Sequence, residues 1–243
     1  MRKLLLLSAV MVAASVTAYA TSSAFNGFYV GAGAGGVRSK TKTDTSQAFD
    51  DWVNNRFPSK KNKISNDLIL GLYTGYGKSL NDFYIGGEIS ITGDFSKRTV
   101  SLVKANDPQD PPVSYDLNTK YVRGLIISLS PRFGYIFGNN LIYIKPGIEI
   151  SRDKASAAYH YTNTAINAAI PKLSYSASTS KTNIVFTPAF GYERVCGPII
   201  MRGEYTYNPG KKISIQSNVT AISTYNNASY SEHRFIVGIA YKF

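Results

Sequence analysis

The sequence is poor in the residues on which several common protein classes depend. It has one cysteine, Cys196, and two histidines, His160 and His233, in 243 residues. A single cysteine excludes an intrachain disulfide framework. Two histidines and one cysteine at these separations match no zinc-ligand spacing. Only 17% of the residues are charged, and 27 basic residues outnumber 15 acidic ones. We therefore expect neither a metal site nor a cofactor.

Long hydrophobic runs are also missing after residue 20. The first twenty residues begin with Arg2 and Lys3, continue with an apolar stretch from Leu4 to Ala14 and end in Ala18-Tyr19-Ala20. We interpret 1–20 as a secretory signal peptide and 21–243 as one exported domain. No later run of about 18 or more apolar residues could form a transmembrane helix. The exported domain is then either soluble or a membrane β-barrel.

The abundant residues are those of β-sheets, with 18 tyrosines, 12 phenylalanines and 20 glycines. Apolar residues alternate with small or polar ones at a period of two, which predicts strands. Eight segments show this alternation, at 26–37, 67–78, 82–93, 121–136, 141–152, 182–194, 199–208 and 232–243.

Short and long connections alternate between these segments. Strict alternation places every long loop at one end, and an even strand count lets the first strand pair with the last, which removes exposed edges. The predicted fold is an all-β, eight-stranded antiparallel up-and-down transmembrane β-barrel with four long extracellular loops and short periplasmic turns. The turns are 79–81, 137–140 and 195–198, and the loops are 38–66, 94–120, 153–181 and 209–231.

The two faces of the predicted strands differ in composition. In the first strand Phe28 and Val30 alternate with Tyr29 and with glycines. A face in contact with water would be dense in Lys and Glu, whereas glycines suit the crowded interior of an eight-stranded barrel. We therefore predict that the apolar faces contact lipid. Phe28, Ile89 and Phe190 are expected on the outside.

The glycine-rich face carries isolated charges of both signs. In a narrow lumen unpaired charges would be costly, so these side chains should pair. Paired glutamates could perform acid–base chemistry, but a structural ion-pair plug is the preferred interpretation. A minor conductance through rearranged pairs is an alternative. The eight residues are Glu88, Arg132, Lys145, Glu149, Glu193, Arg202, Glu204 and Arg234.

Several motifs resemble one family. The segment Asn26-Gly-Phe-Tyr-Val-Gly-Ala-Gly-Ala-Gly35 resembles the opening strand of the small outer-membrane protein β-barrels, which include the OmpA transmembrane domain and surface antigens of Gram-negative pathogens. Tyr84-Ile-Gly-Gly-Glu88, Ser130-Pro-Arg-Phe-Gly-Tyr135 and Arg202-Gly-Glu-Tyr205 resemble its third, fourth and seventh strands. The resemblance implies insertion in the outer membrane and a structural, adhesive or antigenic role. It implies no shared catalytic residues.

The last residues resemble the signal read by the barrel assembly machinery of the outer membrane. In Gly238-Ile-Ala-Tyr-Lys-Phe243 the aromatic residues alternate and the last residue is Phe. Ile236 differs from the polar residue that this signal usually has. The resemblance implies assembly residues at Gly238, Tyr241 and Phe243, with the assembly machinery as a partner.

The predicted long loops carry most of the excess positive charge. Residues 38–66 hold seven basic and three acidic residues. Such loops could attract lipopolysaccharide phosphates or serve solubility. Aromatic residues that could anchor host extracellular proteins, or pack the loops together, are Trp52, Phe57, Tyr159 and Tyr161. No aromatic stacking platform is interleaved with the basic residues, so nucleic acid is not an expected partner.

Three functional hypotheses follow. The first is a monomeric, non-enzymatic surface barrel with an envelope or adhesive role, in contact with outer-membrane lipid and lipopolysaccharide. The second is a small pore. The third is a lipid-modifying or proteolytic barrel enzyme, which needs a nucleophile beside a base. His160 lies in the predicted third loop. Ser231 and His233 are about 6.5–7 Å apart along a strand, whereas Glu232 and His233 face opposite sides. Cys196 is expected as an unpaired thiol in a periplasmic turn.

Overall fold

The chain folds almost entirely into β-strands. The computed structural model describes residues 22–45, 60–94, 97–106, 113–163, 173–210, 212–216 and 225–243. Within these residues there is one short 3-10 helix, Ser22–Phe25, and no helix has the length and apolar character needed to cross a bilayer. The strands are β1 (Gly27–Thr45), β2 (Lys60–Leu80), β3 (Phe83–Asp94), β4 (Lys97–Asn106), β5 (Val113–Phe137), β6 (Asn140–Asn163), β7 (Leu173–Cys196), β8 (Ile199–Asn208), β9 (Lys212–Gln216) and β10 (Tyr225–Lys242).

These ten strands occupy eight positions in a closed antiparallel barrel. β3 and β4 both pair with β5, and β8 and β9 both pair with β10, so each of these couples fills one position. Closure comes from β1, which pairs with β2 on one side and with β10 on the other. The ladder between β1 and β10 runs from Tyr29↔Lys242 to Thr45↔Asn226. The predicted eight-stranded up-and-down barrel is confirmed.

The strands extend well into the segments predicted as long loops. β1 continues to Thr45 and β2 begins at Lys60, while β6 continues to Asn163 and β7 begins at Leu173. The predicted boundaries were wrong because they were set where the apolar alternation stops. Beyond that level polar, small and occasional apolar residues are mixed on both faces, so the alternation gives no signal. The inter-strand backbone hydrogen bonds that maintain the ladder do not depend on side-chain type.

The three predicted turns are tight two-residue hairpin turns. They consist of Asn81-Asp82, Gly138-Asn139 and Gly197-Pro198. The first was predicted at 79–81 and lies slightly later in the chain, because β2 extends to Leu80. The first residue of each has positive φ, at 56° for Asn81, 60° for Gly138 and 61° for Gly197. Positive φ at this position matches the type II′ turn, whose twist suits a hairpin and which Gly and Asn tolerate best. Because each turn joins an antiparallel pair in an up-and-down order, all three turns lie at one end of the barrel.

The apolar faces of the strands point out of the barrel, as predicted. Phe28 is 63% exposed, Ile89 51% and Phe190 55%, although all three are large and apolar. Aromatic pairs surround the barrel near the short turns, including Phe28–Tyr76 with ring centroids 4.8 Å apart and Phe83–Tyr135 at 5.9 Å. An outward apolar belt bordered by aromatic residues is the surface of a bilayer-spanning barrel.

Candidate functional site

The lumen is filled by side chains in successive layers. Nearest the short turns is an apolar floor to which Phe25, Ile136, Leu141, Val195 and Ile200 contribute. Above this floor two groups of charged residues fill the barrel. We call them the lower tier (Glu88, Arg132, Lys145, Glu193, Arg202 and Glu204) and the upper tier (Arg123, Glu149, Asp153, Glu232 and Arg234). All eleven side chains are buried.

The lower tier is a closed set of ion pairs with three charges of each sign. Arg202 Nη2 lies 2.7 Å from Glu88 Oε2 and 2.6 Å from Glu193 Oε1. Arg132 Nη2 lies 2.8 Å from Glu193 Oε1. Lys145 Nζ joins the remaining carboxylates, at 3.0 Å from Glu88 Oε1 and 2.6 Å from Glu204 Oε1. Six of the eight charged residues predicted for the lumen are thus brought together in this tier.

Tyrosines hold the lower tier in place. Arg132 Nη1 donates a 2.6 Å hydrogen bond to the Tyr29 hydroxyl, which donates at 2.9 Å to Glu88 Oε2. The Tyr143 hydroxyl donates to Glu204 Oε2 at 2.7 Å. The guanidinium of Arg132 also stacks 4.0 Å from the ring centroid of Tyr143, and that of Arg202 lies 4.0 Å from the ring of Tyr73. Cation–π contacts and hydrogen bonds therefore fix the orientation of both guanidiniums.

The glycines on the inner face make room for these tyrosines. A Cβ on Gly191 would overlap the ring of Tyr143, and one on Gly77 would overlap the ring of Tyr84. The predicted role of glycine in a crowded interior thus applies to particular tyrosine rings that pack against Arg132 of the lower tier.

The upper tier is centred on Glu149. Arg234 Nη2 lies 2.5 Å and 2.6 Å from its two carboxylate oxygens, and Arg123 Nη2 lies 3.3 Å from Oε2. The amide of Asn208 donates to the same Oε2 at 3.0 Å. Arg123 also pairs with Glu232, and Asp153 accepts a 2.6 Å hydrogen bond from Asn183 Nδ2. These contacts fill the lumen at a second level, above the lower tier.

Between the tiers the lumen is lined by small polar residues such as Ser90, Ser130 and Thr187, with glycines at Gly33 and Gly71. They enclose a cavity of about 40 Å³. This volume suits a few water molecules and no larger solute.

Three members of the upper tier were missed by the sequence analysis. Arg123 faces inward because a register shift between Arg123 and Ile126 reverses the alternation of β5, and a bulge of this kind is not visible in the hydrophobic pattern. Asp153 lies just past the predicted end of its strand. Glu232 shares the inward parity of Arg234, so the alternation itself could have identified it.

The candidate loop contacts are only partly in the described residues. Trp52 and Phe57 lie outside them. Tyr159, His160 and Tyr161 were predicted in a loop, but they belong to β6, where Tyr159 pairs with Leu117 and with Tyr175. That placement was wrong for the same reason as the loop boundaries.

The possible catalytic residues of β10 point in different directions. Glu232 is fully buried in the lumen, whereas His233 is exposed on the outer wall. His233 Nδ1 forms a 2.6 Å hydrogen bond with the hydroxyl of Tyr205. Among the described side chains, no group of three or more His, Cys, Asp or Glu is arranged to hold a metal ion. Cys196 is the exposed last residue of β7, and its thiol is free.

The residues of the predicted assembly signal lie at the seam between β10 and β1. Phe243 N donates to Phe28 O at 2.9 Å, and the rings of Tyr241 and Phe243 pack 5.2 Å apart on the outer surface. Gly238 pairs with Gly33, and a Cβ there would lie 2.9 Å from Ala32 O. The terminal aromatic residues thus face outward beside the closing ladder.

Solved structures similar to this chain are outer-membrane barrels of different functions. OprG from Pseudomonas aeruginosa is 13% identical with a TM-score of 0.47, and the alignment covers 92% of this chain and 99% of that one. Ail, the attachment invasion locus protein of Yersinia pestis, is 12% identical with a TM-score of 0.37, covering 90% and 99%. The outer membrane protease OmpT from Escherichia coli is 12% identical with a TM-score of 0.37, covering 94% and 99%.

Comparison of the sequence, in contrast to comparison of the structure, identifies the family of this chain. No curated protein matches the chain. Residues 4–243 match the outer membrane protein beta-barrel domain, which is nearly the whole sequence. This agrees with the outward apolar belt, the closed ladder and the filled lumen. The chain therefore belongs to the outer membrane protein β-barrel family and is a protein of the bacterial outer membrane.

Proposed function

We propose that this protein is a non-enzymatic surface barrel that neither conducts solutes nor transforms them and that acts through its extracellular end. The observation that carries the proposal is the pair of ion-pair tiers in series, each of which fills the lumen. Side chains that neutralise one another and are held by tyrosines and asparagines provide neither a path for ions nor a free base. The tiers serve as a structural plug.

We expect no conductance from the refolded protein. In a planar bilayer the wild type should show no reproducible current steps, since an ion must pass both tiers. The variant Glu149→Ala/Arg234→Ala, which opens only the upper tier, should also remain silent because the lower tier is intact. Reproducible steps in the wild type would support the pore hypothesis instead.

Since the lumen is filled, we place the function at the end of the barrel opposite the short turns. In outer-membrane barrels this end carries the extracellular segments. Most of the positive charge predicted for the first loop belongs to the ends of β1 and β2, since Arg38, Lys40 and Lys42 lie in β1 and Lys60, Lys61 and Lys63 in β2. The segment between them, 46–59, contains Phe49, Trp52 and Phe57 but only one basic residue. We therefore assign adhesion to its aromatic residues, which are the usual anchors of protein interfaces.

Adhesion can be tested on whole cells that express the protein. Wild-type cells should adhere to a serum-coated surface, and Trp52→Ala/Phe57→Ala should lower adhesion at least fivefold because two aromatic anchors are lost. Deletion of 107–112, a segment without aromatic or basic residues, is the matched control and should have little effect. Equal adhesion by wild-type cells and by cells lacking the barrel would exclude an adhesive role for the extracellular end of the protein.

A further inference from the structure

A row of basic side chains lies on the outer wall of the barrel, just beyond the apolar belt. Along β1 the outward residues Phe28, Val30, Ala32 and Ala34 are followed by Gly36 and then by three exposed basic residues, Arg38, Lys40 and Lys42. The first polar outward residue occurs at the same level on the neighbouring strands, and beyond it the apolar Ile64 of β2, which pairs with Lys40, is also exposed. Arg38 pairs with Asn66 of β2 and with His233 of β10, and the preceding outward residues of those strands are Leu68 and Phe235.

This level corresponds to the boundary between hydrocarbon and headgroups. Aromatic residues mark that boundary in membrane barrels, and Tyr207 lies in the same row, paired with His233 at a ring-centroid distance of 5.1 Å. Lys40 and Lys42 lie one and two outward positions beyond Arg38. Their ammonium groups are thus at the depth of the lipid phosphates rather than in free solvent.

A groove adjoins these lysines. It has a volume of about 390 Å³ and lies between Lys40 and Lys42 on one side and Tyr207, Pro209 and Gly210 on the other. Ser229 and Ser231 of β10 line it, and Ser231 pairs with Lys40 while Ser229 pairs with Lys42. At Gly210 the backbone lies so close to Tyr230 that only glycine fits. Its φ is +76°, and a Cβ would overlap the carbonyl oxygen of Tyr230.

The chemistry of the groove suits a phosphate group. Lys40 and Lys42 are two residues apart on one face, about 6.5–7 Å along the strand, so that two flexible ammonium groups can reach one phosphate. The serine hydroxyls and the Tyr207 phenol add hydrogen-bond donors. Among the described outward side chains beyond Leu68 and Phe235, the strands β1, β2, β8 and β10 present no Asp or Glu that would repel an anion.

We propose that this groove binds the phosphorylated headgroup of a lipid in the outer leaflet, with Lys40 and Lys42 contacting the phosphate and Tyr207 lying beside the start of the acyl region. The lipid meets the groove from the side, in the plane of the membrane. Elsewhere on the wall Lys120 of β5 and Lys154 of β6 are also exposed. They carry the same charge but do not line this groove. Replacing them therefore tests whether a lipid binds at the groove itself or is attracted by positive charge anywhere on the wall.

The experiment uses the full mature chain, refolded in neutral detergent and titrated with lipid A that carries its phosphates. Native mass spectrometry counts the bound lipid. Lys40→Gln/Lys42→Gln should weaken binding at least tenfold, as expected for two cations at a charged lipid surface. Lys120→Gln/Lys154→Gln, the matched control, should change it less than twofold. Ser231→Tyr, which fills the groove and keeps both lysines, should weaken binding as strongly as the lysine pair.

Two further titrations identify the source of the phosphate. Lipid A without phosphates should bind at least tenfold more weakly to the wild type, and inorganic phosphate at millimolar concentration should not displace the lipid. Heat-modifiable migration on gels shows that each variant is folded. The proposal is overturned if the control pair weakens binding as much as Lys40→Gln/Lys42→Gln, if dephosphorylated lipid binds equally well, or if phosphate alone displaces the lipid.

Discussion

Replacing Arg202 by methionine is expected to destabilise the barrel by about 3–5 kcal/mol, the usual cost of removing one partner from a buried ion pair. Arg202 contacts both Glu88 and Glu193, and its loss leaves the lower tier with one more negative than positive charge. Methionine keeps much of the side-chain volume, so the loss is mainly electrostatic. Urea unfolding of the protein refolded in lipid vesicles measures the effect.

Two controls separate this effect from a general response to the substitution. Arg152→Met removes an exposed arginine of β6 that donates a 3.2 Å hydrogen bond to Ser180, and it should cost less than about 1 kcal/mol. Arg202→Met/Glu193→Gln restores the charge balance of the tier and should be about 1–3 kcal/mol more stable than the two single effects predict. If Arg202→Met costs no more than Arg152→Met, the lower tier does not stabilise the fold.

An arginine placed in the middle of the apolar belt should cost about 2–4 kcal/mol, because a lipid-facing charge near the bilayer midplane loses its hydration. Ile148 of β6 is a suitable position. It is 51% exposed, and its neighbours across the ladder are Leu129 of β5 and Phe186 of β7. The free energy of unfolding of Ile148→Arg in vesicles, compared with the wild type, gives the value.

The same substitution near the edge of the belt is the depth control. Leu68→Arg places the charge one outward position from Asn66, which pairs with Arg38, and it should cost about 0–1 kcal/mol. Ile148→Ala corrects for the lost apolar contact. Equal costs for Ile148→Arg and Leu68→Arg would contradict the assignment of this belt to the hydrocarbon region.

The number of barrel strands and the orientation of their faces follow from short-range features. Alternation at a period of two shows which residues share a face, and the glycine content of one face shows which side is crowded. Tight turns have a local signal in Gly and Asn, which tolerate positive φ. These features fail where polarity no longer differs between the faces. That is why the ends of β1, β2, β6 and β7 were assigned to loops.

The interior charges show what the sequence pattern determines and what only the tertiary structure determines. Alternation placed eight of them in the lumen, since residue parity is a property of the chain alone. It could not separate them into two tiers, because Arg202 and Glu88 are brought together only when strands distant in sequence close into a cylinder.

Arg123 and the lipid-facing groove depend on the closed barrel in the same way. A bulge sets the direction of Arg123, and the groove arises only where β1, β8 and β10 meet in one particular register, which the strand order does not display. The linear pattern thus fixes which side of each strand meets lipid, because that choice depends on neighbours two residues apart. Which charges meet, and which residues line the groove, depends on the register of every ladder around the barrel, and the last of these ladders, between β1 and β10, forms only when the barrel closes.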